Sequence, residues 1–87
     1  MGWPFGGSNS KRDRESGYAT TVGHYRVSTI ALGPGFYENA YETFVLDLND
    51  IRPEYGGVFP VEEFRHANFE DAQEYHTEMV NKYSRRK

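Results

Sequence analysis

The sequence predicts a small α+β domain: a three-stranded antiparallel β-meander with one C-terminal helix packed on one face, behind a flexible N-terminal tail. Three observations predict it. Stretches 18–32 and 39–48 are rich in β-branched and aromatic residues, and Gly33-Pro34-Gly35 marks a turn between them. A third short stretch, Val61 to His66, follows a loop that carries Asn49-Asp50, Arg52-Pro53 and Gly56-Gly57. From Phe69 to Tyr83 the apolar residues recur at spacings of 3 and 4.

Each element has a local reason. Residues 1–16 read as a tail, because Gly, Ser and Pro dominate to Ser10 and a mixed charge run, Lys11 to Glu15, follows. Trp3 and Phe5 stand out there as candidate anchors. The strand over 18–32 carries Tyr25, Val27 and Thr29 on one parity and His24, Arg26 and Ser28 on the other. In 39–48, Phe44, Leu46 and Leu48 share one face and Tyr41, Thr43 and Val45 the other, so the strand is expected to be central. The helix has Asn68 as N-cap, with Glu70 and Asp71 in its first turn, where the dipole favours negative charge. Its apolar stripe is Phe69, Ala72, Tyr75, Met79, Val80 and Tyr83. The domain is expected over 17–84, with a basic end at 85–87.

Composition narrows the function. The chain has 87 residues, so one domain is the expectation. It has no cysteine, which excludes disulfides, thiolate metal sites and a cysteine nucleophile. No run of about 18 apolar residues exists, so no membrane span is expected. The net charge of -3 argues against a general nucleic-acid clamp. Aliphatics are few, but seven Tyr, six Phe and one Trp supply area for a core. The expected location is the cytoplasm, a host cell's if the chain is viral, or a virion.

Several segments resemble a pattern found in small, functionally uncharacterised proteins of phages and prophages, especially those of actinobacteria. These are Val27-Ser28-Thr29, Leu32-Gly33, Tyr41-Glu42-Thr43-Phe44-Val45-Leu46, Arg65-His66, Asp71-Ala72, Tyr75-His76 and Met79-Val80. The resemblance spans about 25–83. It departs from the pattern in a shorter glycine-rich loop, in Tyr75 before the histidine and in His66. It implies an accessory protein of phage type and brings no catalytic residues.

The residues themselves point to binding. Glu42, His66 and His76 are the candidates for a ligand pocket between helix and sheet, the alternative reading as a small-molecule or nucleotide binder. The ordinary explanations are that His76 is hydrogen-bonded to the sheet and that Glu42 pairs with Arg65 or Arg26 across strands. No metal site, cofactor or catalytic residue is expected. A single helix covers one face of a small sheet. The face with Tyr25, Tyr41, Thr43 and Val45, helped by Trp3 and Phe5, is expected to dock on a protein partner, host or viral. A homodimer through that face, or strand addition at a sheet edge, is compatible with this reading. The expected role is non-enzymatic: modulation of a host factor or defence system, or virion assembly.

Overall fold

A computed structural model of the chain describes residues 7–9, 14–33, 35, 39–55 and 57–85. Among these residues the class is α+β, one antiparallel sheet followed by one helix. The sheet has five strands in sequence order: β1 (Gly7–Asn9), β2 (Gly17–Val22), β3 (Tyr25–Ala31), β4 (Tyr41–Arg52) and β5 (Gly57–His66). Helix α1 (Phe69–Ser84) follows. No described helix is long and apolar enough to cross a membrane.

The strand count corrects the expected three. The stretch expected as one strand over 18–32 folds back on itself, so that Val22 opposes Tyr25 and only Gly23 and His24 form the turn. Gly23 has φ 59 and His24 has no positive φ. These signs suit a two-residue hairpin turn that needs glycine at its first central position. β4 runs on to Arg52, a 3-10 turn spans Pro53–Tyr55, and β5 begins at Gly57, so most of the expected loop belongs to strands. The β4–β5 ladder shifts register at Val45/Leu46, where β5 holds Val61 as an extra residue.

Part of the expected tail is also built into the domain. β1 pairs with β2 from Gly7↔Val22 to Asn9↔Thr20. The Tyr41 hydroxyl donates to the Arg14 carbonyl at 2.7 Å. The Arg14 guanidinium lies over the Phe69 ring, 5.1 Å from its centroid, and pairs with Glu70. Gly17, where β2 begins, has φ 109, and a Cβ there would stand 1.9 Å from the Thr29 carbonyl oxygen. Only glycine lets β2 and β3 close at that point.

The helix matches its prediction closely. Asn68 caps it, its side chain accepting from the Asp71 N–H at 2.8 Å. Phe69, Ala72, His76, Met79 and Tyr83 form its buried side. These residues decide which sheet face is sealed. Val27, Val45, Met79 and Tyr83 form the core cluster, with Val22, Tyr25, Tyr75 and Val80 packed around it. Each fully buried valine contributes about 1.5–3 kcal/mol relative to exposure.

Candidate functional site

Alternation along the strands places Tyr18, Thr20, Tyr25, Val27, Thr29, Tyr41, Thr43 and Val45 on one face. Helix α1 packs on that face. This overturns the expected docking surface. Thr43 and Val45 are completely buried, Tyr25 packs its ring 4.5 Å from Tyr83, and Tyr41 packs 5.5 Å from Phe69. The face proposed for a partner is the protein's own core. Trp3 and Phe5 lie outside the described residues.

The centre of this core is polar. His76, 1% exposed, reaches from α1 to the sheet. Its Nδ1 lies 2.8 Å from Thr29 Oγ1 and its Nε2 lies 2.9 Å from Thr20 Oγ1. Thr29 Oγ1 in turn lies 2.7 Å from Thr43 Oγ1. A neutral imidazole has one donor and one acceptor nitrogen, so both are used. Tyr18 stacks on the ring at 4.1 Å. A histidine beside a threonine hydroxyl has the outline of a base and nucleophile. Here Thr29 is fully buried and His76 nearly so, and no substrate atom reaches either. The arrangement clamps helix to sheet, as the sequence suggested for His76.

The candidate ligand pocket also separates. Glu42 opposes Arg65 on the open face, with Arg65 Nε 3.5 Å from its Oε2, so it pairs across strands as one expectation had it. His66 opposes Tyr41 on the covered face, away from Glu42. Its ring packs 5.1 Å from Tyr75, and its Nε2 is buried with no hydrogen-bond partner among the described residues. Burial pushes the His66 imidazole below its usual range, and Asp71 offsets this only partly. Glu42, His66 and His76 therefore do not share a pocket. No group of three or more His, Cys, Asp or Glu among the described residues is placed to hold a metal ion.

What the helix leaves open is the opposite face and the outer edge of β5. The open face carries Arg26, Ser28 and Ile30 on β3, and Glu42, Phe44 and Leu46 on β4. Among the described residues the most exposed large apolar side chains are Phe64 at 56%, Val61 at 46% and Leu48 at 36%. Two of them are on β5, whose outer edge has no neighbouring strand among the described residues. Phe64 rests one side of its ring on Tyr75, centroids 5.3 Å apart. Glu62 is held by Lys82 at 2.7 Å and by the Tyr83 hydroxyl. The edge is thus braced from behind by α1. The sequence reading puts this stretch at one edge of the meander and allows strand addition at an edge, but it does not single out Phe64 and Val61. The one available signal was the run Val61-Glu62-Glu63-Phe64-Arg65, which sets apolar residues among charges of both signs.

No protein-family model matches the chain, and no curated protein or solved structure matches it either.

Proposed function

We propose that this chain is a non-enzymatic accessory protein of phage type that acts as a protein–protein interaction module, with the outer edge of β5 as its contact surface. The observation that carries this reading is the position of Phe64 and Val61, the two most exposed large apolar side chains described, on an edge strand. Such an edge offers N–H and C=O groups to an added strand, while its side chains select what binds. The partner is a protein segment that pairs in extended form. The resemblance to phage proteins supports a role on a host factor or defence system, or in virion assembly.

Capture from a bacterial host lysate by the immobilised chain tests the reading. Phe64→Glu should abolish capture while leaving the circular dichroism spectrum unchanged, since the side chain is mostly outside the core. Undiminished capture by Phe64→Glu would sink the edge as the contact surface.

A further inference from the structure

We infer that the β5 edge is made to pair with the β5 edge of a second copy of this chain, in one register centred on Phe64. This rests on the edge-binding reading above and names the occupant of that edge.

Symmetry restricts the choices. Two antiparallel edge strands joined across a twofold axis keep their faces matched, because opposed side chains project to the same side. A residue must therefore oppose one from its own face. On the open face β5 presents Glu63 and Arg65, the latter beside Glu42. On the covered face it presents Glu62, Phe64 and His66, which meet α1 through Lys82, Tyr83 and Tyr75. Centring the pair on Glu62, Glu63 or Arg65 sets a charge against itself, which destabilises. Centring on Val61 runs the ladder into Pro60, which has no N–H to give. Centring on His66 runs it off the end of the strand.

Centring on Phe64 meets none of these obstacles. Glu63 then opposes Arg65 of the second copy, and symmetry makes the same pair twice. Arg65 stands between its own Glu42 and the other copy's Glu63, so the charges alternate across the joined strands. Glu62 opposes His66. The two Phe64 rings meet at the axis, each backed by its own Tyr75. The aromatic side chain that is 56% exposed in one copy is covered in two. A strand edge normally carries charge to repel other edges. Here the order of charges is complementary to itself, so it repels strangers and accepts a copy.

Native mass spectrometry and sedimentation equilibrium on the 87-residue chain, from about 1 µM to about 1 mM, test this. The wild type should be dimeric in the upper part of that range. Glu63→Arg alone makes both of β5's open-face charges positive, and Arg65→Glu alone makes both negative. Each should raise the dimer dissociation constant on the order of tenfold or more, since two favourable pairs become two unfavourable ones. An equimolar mixture of the two variants should form a heterodimer, because each then meets its opposite. If Arg65→Glu melts early against Glu42, Glu63→Arg and Phe64→Glu, both at exposed positions, decide the matter by losing the dimer. A wild type that stays monomeric throughout overturns the second-copy assignment, as does a dimer that Glu63→Arg leaves intact. If the wild type is monomeric and Phe64→Glu still loses lysate capture, the edge reading survives without it. If capture is also unchanged, both readings fall.

Discussion

The two faces of the sheet differ in how well they meet the polar atoms of the helix. The face sealed by α1 carries a row of hydroxyls, Thr20, Thr29 and Thr43, joined to a buried histidine. The opposite face carries Ile30, Phe44 and Leu46 on β3 and β4, with Arg26, Ser28 and Glu42 set among them. Apolar content already favours the first face, which carries Tyr25, Val27, Ala31, Tyr41 and Val45 on the same two strands. The helix adds a second reason, because His76 lies in the middle of its buried side. Against Phe44 and Leu46 both imidazole nitrogens would be buried without partners, at about 1–3 kcal/mol for each unmet group. Against the threonines they are satisfied, and Tyr18, Tyr25, Tyr41, Phe69 and Tyr83 supply the apolar area around them. The buried face is the one that satisfies the helix's hydrogen bonds as well as its apolar stripe.

The largest expected effect sets a core ring against an edge ring. Tyr83→Ala empties a nearly fully buried site in the core cluster and should cost about 3–5 kcal/mol, enough to unfold much of so small a domain. Phe64→Ala, at the open edge, should cost less than about 1 kcal/mol in urea or thermal melts. Equal losses at the two sites would erase the distinction between sealed core and free edge.

Next is the polar seam itself. Thr29→Val keeps shape but leaves His76 Nδ1 and the Thr43 hydroxyl each short of a partner, and should cost about 1–3 kcal/mol. A cycle with His76→Leu should then show coupling: the double variant loses less than the sum of the two single losses. Additive losses would mean that the seam does not act as a unit.

The smallest effect is in the pH profile. His66 binds its proton more weakly in the folded chain than in the unfolded one. Below the unfolded value, about 6.5, the unfolded state therefore takes up more protons, and stability falls as pH falls. His66→Phe should flatten the part of this decline that sets in as pH falls through about 6.5 in thermal melts. A profile that keeps its full slope there would assign the decline to other groups. The Asp47 carboxylate, held low by the His24 side chain and then by the Asn49 N–H, acts only at more acid pH.

Much of this was legible beforehand, and the misses have specific causes. The Phe69-to-Tyr83 stripe and the Asn68 cap gave α1 almost to the residue, because helix periodicity and capping are local. Glu42 with Arg65, and a sheet-bonded His76, followed from the cost of burying an unpaired polar group. The hairpin at Gly23-His24 was also written locally, as a glycine between two β-branched runs, but continuous β propensity on both sides concealed it. The choice of covered face was not local. It depended on His76 meeting Thr20 and Thr29 from positions 56 and 47 residues earlier. Where the strand pattern leaves two apolar faces, the polar atoms on the helix have to be matched as well as the apolar ones counted.

The strand order has a consequence for how the chain is made. Each strand pairs with its neighbour in sequence, so the sheet grows by short hairpin closures as the polypeptide emerges. Helix α1 is synthesised after all five strands, and it brings the His76 imidazole that meets Thr20 and Thr29. Until then the nascent sheet presents both faces to solvent, with Val27 and Val45 bare and the hydroxyls bonded to water. Docking of α1 joins residues 56 and 47 apart in sequence, so the sheet leaves the ribosome before the helix that seals it.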